Sequence, residues 1–173
     1  MKFDLGFYTE QCRHNDGSVS ANDLGTGRAD WQVTSVPDAV EMDLPAPART
    51  VTPPGAWATP DCAEWVDHAG TGNLATDPPG EYVFELDFGV EEGRADDTLV
   101  VDRYGADNAV DLFLDGDLLV SADADAYDAL DSLPSVDPVQ GLDPGTHTLR
   151  AVVTNGGGAS GNPTGVLVCA HLE

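Results

Sequence analysis

The sequence predicts an all-β fold, an antiparallel β-sandwich, and three features of the chain carry that prediction. Every second residue from Tyr82 to Phe88 is large and apolar, which is the two-residue period of a strand with one buried face. Glycine and proline recur between the apolar runs, as expected of short strands joined by turns. Apart from a possible short turn near residues 123–130, no segment keeps a helical period of about 3.6 residues over two turns.

Strands follow one another closely in the carboxyl-terminal half. Asp115 and Gly116 separate two apolar runs, and an Asp-Gly pair in this setting is a strong signal for a two-residue hairpin turn. Pro78-Pro79-Gly80 and Asp143-Pro144-Gly145 mark two further turns. The strands predicted from these signals cover residues 82–88, 98–104, 109–120 as a hairpin, 147–154 and 165–172.

The first 80 residues are less regular. Residues 31–36 alternate as a strand does, and short strands are predicted within residues 42–52 and 63–66. Pro53-Pro54-Gly55 is a turn. No linker, change of composition or repeat divides the chain, so residues 1–173 are predicted to form a single domain.

The charge balance points to an extremely salty environment. The chain has 31 acidic residues against 7 basic ones, a net charge of -24, and its only lysine is Lys2. Such a domain repels itself in dilute buffer, and this repulsion is screened within about 3 Å at about 1 M salt. An acidic disordered segment and a calcium buffer are the alternatives, but the alternating apolar runs argue against disorder. Nucleic acid and anionic membranes are not expected as partners, because binding them needs a cluster of basic residues and the chain has none.

Membrane insertion and export by a signal peptide are not expected. No stretch is apolar enough to cross a bilayer, and the first residues lack the long apolar core of a secretory signal. We therefore expect a protein made in the cytoplasm that reaches its site by another route, such as virion assembly.

Three cysteines, Cys12, Cys62 and Cys169, leave two interpretations open. One is a disulfide with a free thiol, and the other is three buried small apolar side chains. We prefer the second, and the sequence does not say which cysteines would pair. No CxxC spacing indicates a zinc site.

No set of residues indicates catalysis. There is no Gly-x-Ser-x-Gly motif, and the four histidines do not have metal-ligand spacing. The glycine-rich stretch at residues 155–165 leads into a strand and not into a helix, so it does not predict a phosphate site. With 31 acidic residues, carboxylate pairs arise by chance and carry no signal. The sequence predicts a protein that is not an enzyme.

Ten short motifs, in order along the whole chain, resemble galactose-binding-domain-like modules, in particular those of bacterial exported proteins with PEP-CTERM sorting tails. The resemblance implies a jelly-roll sandwich with a non-catalytic adhesive or binding role, although the chain shows neither the export signal nor the sorting tail of those proteins. The motifs are NDG at 15–17, DW at 30–31, AW at 56–57, EWV at 64–66, PGEYVF at 79–84, ADN at 106–108, LDG at 114–116, GTHTL at 145–149, VTNGG at 153–157 and NPTGV at 162–166.

The resemblance also implies a structural cation near the first loops. Hard cations take six to eight oxygen ligands, and Ca²⁺, sodium, potassium or magnesium could bind here. The alternative, which we prefer, is that these side chains are solvated acids of a halophile. The oxygen donors would come from Asn15, Asp16, Asn22, Asp23 and Asp30.

Exposed aromatic side chains could stack on sugar rings. The candidates are Trp57, Trp65, Tyr104 and Tyr127. The alternative is that the tryptophans belong to the core, because large aromatics dominate burial in sandwiches. We prefer the core, since the tryptophans fall where the resembling family has its own.

These observations predict a structural or interaction component of a surface assembly in an extreme halophile. The most concrete version is a virion protein of a haloarchaeal virus, such as a capsid decoration, turret, fibre or tail component, that forms a homo-oligomer or capsid. A carbohydrate-binding module for surface glycans is the second hypothesis.

Overall fold

The computed structural model describes residues 22–71, 76–93, 98–122, 133–156 and 162–173. These residues form an all-β structure of two antiparallel sheets, with six and four strands, so the all-β prediction is confirmed. No helix in this part of the chain is long or apolar enough to cross a membrane. In chain order the strands are β1 (Gln32–Ser35), β2 (Ala46–Pro47), β3 (Arg49–Thr50), β4 (Val66–Asp67), β5 (Gly80–Val90), β6 (Leu99–Asp107), β7 (Ala109–Leu114), β8 (Asp117–Ala122), β9 (Gly145–Asn155) and β10 (Gly165–Leu172).

The six-stranded sheet is built on the long pair β5 and β9. Its strand order is β2-β1-β5-β9-β7-β8, and β5 pairs with β9 continuously from Gly80↔Asn155 to Val90↔Gly145. The alternating side chains predicted for β5 are buried from Tyr82 to Phe88. This face packs into the core because a strand directs alternate side chains to opposite sides of the sheet.

The four-stranded sheet has the order β3-β4-β10-β6. Strand β10 pairs with β6 along its whole length, with one irregularity between Cys169 and Ala170. The outer edge of β6 is covered by the segment at 134–139, where the backbones of Leu99 and Val139 exchange hydrogen bonds. This edge is therefore not available to another strand.

Two hydrophobic clusters form the core. The larger one, here the main core, holds most of the buried side chains of both sheets, including Trp31, Phe84 and Leu149. The smaller one, here the tryptophan cluster, comprises Trp57, Ala58, Ala63, Trp65, Leu133, Leu167 and Cys169.

Cys62 and Cys169 form a disulfide, with 5.4 Å between their Cα atoms and a separation of 107 positions in sequence. The preferred interpretation of three unpaired cysteines was therefore wrong. Cys169 is still a buried core residue, since it belongs to the tryptophan cluster. Cys12 lies outside the described residues.

The hairpin predicted over residues 109–120 is confirmed as β7 and β8. Its turn residues Asp115 and Gly116 both have positive φ, 52° and 89°, as the two central residues of a type I′ turn require. His147 on β9 joins this turn to the segment that precedes β9: its Nδ1 lies 2.7 Å from Asp115 Oδ2, and its Nε2 lies 2.7 Å from the Asp143 carbonyl oxygen. The Thr148 N–H also donates to Asp115 Oδ1 at 2.8 Å.

The two hydrogen bonds of the His147 ring, here called the histidine clamp, should make the stability of the fold depend on pH. The hydrogen bond to Asp115, followed by that to the Asp143 carbonyl, raises the pKa of His147 above its ordinary 6.5, because both nitrogens donate only when the ring is protonated. Its stabilisation is complete below pH 6.5 and is lost as the pH rises through the raised folded pKa. We expect the midpoint of thermal unfolding to fall over that range, and His147→Gln to remove most of the fall.

Asp115 determines how the stabilisation from its hydrogen bonds with His147 and Thr148 is lost at low pH. Burial opposes the shift, but the hydrogen bonds from His147 and Thr148 lower the pKa of Asp115 below its ordinary 3.8. Its stabilisation is complete above pH 3.8 and disappears as the pH falls through the lowered folded pKa.

The control for the histidine variant is His171→Gln, whose half-exposed ring pairs with Asp102 and Glu173. A His147→Gln protein with the wild-type pH slope would contradict the role of the clamp.

Candidate functional site

Three of the five predicted cation ligands, Asn22, Asp23 and Asp30, lie in the part of the chain that is described. Asn15 and Asp16 lie outside it. Asp23 is engaged in the fold, since its Oδ1 accepts the Gly25 N–H at 3.0 Å and its Oδ2 lies 3.5 Å from Arg28 Nη1. The Asn22 carbonyl accepts the Leu172 N–H, and the Asp30 carbonyl accepts a bond from Gln32 Nε2. Among the described residues, no group of three or more histidine, cysteine or acidic side chains could hold a metal ion.

The predicted sugar-stacking aromatics are buried at three of the four positions. Trp57, Trp65 and Tyr104 are 5%, 2% and 3% exposed. The Trp65 indole donates to the Ala58 carbonyl at 2.6 Å and lies 4.3 Å from the Trp57 ring. The preferred core assignment of these tryptophans is confirmed, and the exposed platform expected for sugar binding is not found at these three positions. Tyr127 lies outside the described residues.

One end of the sandwich holds a group of buried polar side chains. The strand registers bring them together, because the start of β5 pairs with the end of β9 and the start of β10 pairs with the end of β6 and with β4. We call this group the polar end; its members are Asp67, His68, Asp77, Asp107, Asn155 and Thr164, all at most 9% exposed.

Side-chain hydrogen bonds join the loops of the polar end. The Thr164 N–H donates to Asp77 Oδ2 at 2.7 Å, and the Thr164 hydroxyl donates to the Asp107 carbonyl at 3.2 Å. Asn155 Nδ2 donates to the Asp77 carbonyl at 3.1 Å, and its own Oδ1 accepts from Asn162 Nδ2 at 2.6 Å. The Asp67 carboxylate accepts the N–H groups of the three residues that follow His68. These bonds satisfy buried polar groups and fix the loops between the strands.

Asp77, His68 and Tyr82 lie together at the base of the polar end. His68 Nε2 is 3.9 Å from Asp77 Oδ1, and the His68 ring centroid is 5.1 Å from that of Tyr82. Burial raises the pKa of Asp77 despite the Thr164 hydrogen bond and the His68 charge. Burial first, then the charges of Asp77 and Asp67, raise the pKa of Tyr82 to about 12. In the described structure no serine, threonine or cysteine hydrogen-bonds to His68.

Two neighbouring depressions of about 510 and 440 Å³ open beside the polar end. They share Arg49 and Ala69, and we call them together the arginine cleft. Arg49 is the exposed first residue of β3, in register with Asp67 of β4. The second depression is lined by Val40, Glu41, Met42, Ala46, Arg49, His68 and Ala69.

Sequence reasoning singled out none of Arg49, His68 and Asp77 as site residues. They belong to three different segments, and no short motif joins them. The one available signal was scarcity, since Arg49 is one of only 7 basic residues. Only the pairing of β3 with β4 shows that Arg49 and His68 line one surface.

No protein-family model matches the chain, and no curated protein matches it. The galactose-binding-like resemblance therefore remains a prediction from the motifs.

Proposed function

We propose that this protein is a non-catalytic interaction module of an extreme halophile that assembles with copies of itself. Its most specific form is a surface component of a haloarchaeal virion, such as a capsid decoration, turret, fibre or tail protein, with a galactose-binding-like jelly-roll topology. The observation that carries the proposal is the outer edge of β8, which no other described strand covers. The acidic composition, with a net charge of -24, supports the halophilic setting.

Strand β8 ends the six-stranded sheet, and no other described strand pairs with its outer side. Its residues run Asp-Leu-Leu-Val-Ser-Ala, without the lysine or proline that commonly blocks edge pairing. Leu118 on this strand is 56% exposed. An exposed apolar edge of this kind is a template for another strand, whereas the edge of β6 is already covered.

Electrostatics favours a second copy at high salt. Two subunits of charge -24 repel each other in dilute buffer, but that repulsion is short-ranged at about 1 M salt, where the screening length is about 3 Å. Asp117 is the only charged residue of β8, so antiparallel pairing of two β8 strands about a two-fold axis brings few charges together.

The disulfide supports a location of the protein outside the reducing cytosol, on the surface of a virion or cell. Disulfides persist outside the reducing cytosol, and Cys62–Cys169 joins the first described loops to the last strand. We therefore expect the protein to operate in a virion or cell-surface assembly.

The proposal is tested by light scattering coupled to size exclusion, from dilute buffer to about 3 M KCl, over which the screening length collapses. We expect a discrete oligomer at high salt. Leu118→Glu should weaken its association roughly tenfold or more, because a leucine contributes about 1.5–3 kcal/mol when it is buried.

The matched control is Leu44→Glu, which adds the same charge at another exposed leucine, 39% exposed. It should leave the oligomer unchanged. A protein that is monomeric at every salt concentration, or an oligomer equally sensitive to both variants, would overturn assembly through β8.

A further inference from the structure

We propose that Cys62 is a site of reversible thiol modification, at which a small thiol opens the Cys62–Cys169 disulfide through a mixed disulfide. This chemistry goes beyond assembly through β8 and does not depend on it. Three observations carry it: the position of the bond at the surface, the unequal burial of its two cysteines and the separate attachment of the loop that holds Cys62.

The disulfide lines a surface depression. This depression has a volume of about 320 Å³, and its lining includes Cys62 and Cys169 together with Arg28, His171 and Leu172. That volume lies within the range of small-molecule pockets. A small thiol can therefore enter the depression and approach the bond.

The two cysteines differ in burial. Cys169 is 1% exposed and belongs to the tryptophan cluster, whereas Cys62 is partly exposed and only packs against that cluster. The rate of thiol–disulfide exchange depends on access and on which sulfur is attacked. We therefore expect an external thiolate to attack Cys62 Sγ, with Cys169 as the leaving thiol.

The exchange is balanced by two molecules of the external thiol. The first thiolate forms a bond to Cys62 Sγ, the Cys62–Cys169 bond breaks, and its electron pair goes to Cys169 Sγ, which then takes a proton. The second thiolate attacks the external sulfur of the mixed disulfide and releases the Cys62 thiolate. The protein disulfide is reduced and the two small thiols are oxidised to one disulfide, and the reverse steps close the bond.

The charges around the depression select the class of thiol. Arg28 lies 3.5 Å from Asp23, and the His171 ring lies 3.3 Å from Asp102. All four residues line the depression, so acids offset both of its basic groups. Because the chain also carries a net charge of -24, an anionic thiol is repelled. We expect small thiols without a negative group to react most readily.

The loop that carries Cys62 has an attachment that does not involve sulfur. The Glu64 N–H donates to the Thr26 carbonyl at 2.9 Å, and the Thr26 hydroxyl donates to the Glu64 carbonyl at 2.7 Å. The Arg28 guanidinium donates to the carbonyl of Asp61, the residue before Cys62. These bonds remain when the S–S bond opens, so Cys62 stays in place while the chain is folded and the disulfide can form again.

The first test traps the mixed disulfide on a Cys12→Ser protein, in which only the two bonded cysteines remain. The protein is treated briefly with mercaptoethanol in about 2 M KCl, the exchange is stopped with acid, and peptide mass spectrometry locates the adduct. We expect at least about ten times more adduct on Cys62 than on Cys169. The control is the same treatment in guanidinium chloride, which should give similar amounts on both cysteines because unfolding removes the difference in burial.

The second test compares the two thiols one at a time. Cys12→Ser/Cys169→Ser leaves only Cys62, and Cys12→Ser/Cys62→Ser leaves only Cys169. With dithiodipyridine as an uncharged disulfide probe, we expect Cys62 to react at least about tenfold faster. Circular dichroism checks that each variant is folded, and where one is not, the trapping experiment on the intact bond decides.

Two results would overturn the proposal. One is adduct shared equally between Cys62 and Cys169 in the folded protein, which would show that burial does not direct the attack. The other is a bond that resists mercaptoethanol until the protein unfolds, which would show that the depression gives no access to the disulfide.

Discussion

Removal of the Cys62–Cys169 disulfide should lower the free energy of unfolding by about 4–5 kcal/mol. The bond joins residues 107 positions apart, and closing a loop of about 100 residues removes that much entropy from the unfolded chain in the chain-entropy description. Net stabilities of domains are about 5–15 kcal/mol. We therefore expect the reduced protein to be close to unfolding at room temperature.

The measurement is denaturant unfolding in high salt of the wild type and of the double variant Cys62→Ser/Cys169→Ser. The control is Cys12→Ser, which removes a thiol that is not in this disulfide and should leave the midpoint unchanged. A loss below about 1 kcal/mol in the double variant, well under the typical 2–4 kcal/mol, would show that the bond contributes little to the folded state.

Trp65→Ala should cost about 3–5 kcal/mol, the usual loss when a large buried aromatic is deleted. Trp65 lies in the centre of the tryptophan cluster, against Trp57, and its indole N–H satisfies the Ala58 carbonyl. Trp57 is itself closely packed, because a Cβ on Gly165 would lie only 2.8 Å from its ring. Trp65→Phe should cost less but leave the Ala58 carbonyl without its donor.

Chemical denaturation of these variants, with Leu118→Ala as an exposed control, measures the loss. The control should stay within about 0.5 kcal/mol of the wild type, as surface substitutions usually do. Because Cys169 belongs to the same cluster, combining Trp65→Ala with disulfide removal should cost less than the sum of the two. A Trp65→Ala protein as stable as the wild type would mean that the cluster does not stabilise the fold.

Local pattern was sufficient for much of the strand content. The alternation of β5 and the Asp-Gly turn between β7 and β8 predicted those elements, because side-chain period and turn conformation depend on neighbours in sequence. The short strands near the beginning were placed only roughly. The strand predicted within residues 63–66 is Val66–Asp67, and the one predicted within 42–52 is divided into β2 and β3.

The candidate site depended on contacts that no local pattern contains. His68 lies 3.9 Å from Asp77 and lines the same depression as Arg49, and the hydrogen bond between Asp77 and Thr164 spans 87 residues. The cysteine pairing is of the same kind, since three cysteines allow several pairings and only the approach of Cys62 to β10 selects one. Burial of the tryptophans likewise depended on which surfaces the two sheets cover.

For this chain, composition and two-residue alternation specified the class of fold and the acidic surface, because both follow from residue type and near neighbours. Within the described residues, the three-dimensional pairing of distant segments decided which polar groups are buried and which edge strand no other strand covers. Those properties depend on where the sheets bring remote residues together and how much water they exclude, and a local sequence window contains neither quantity.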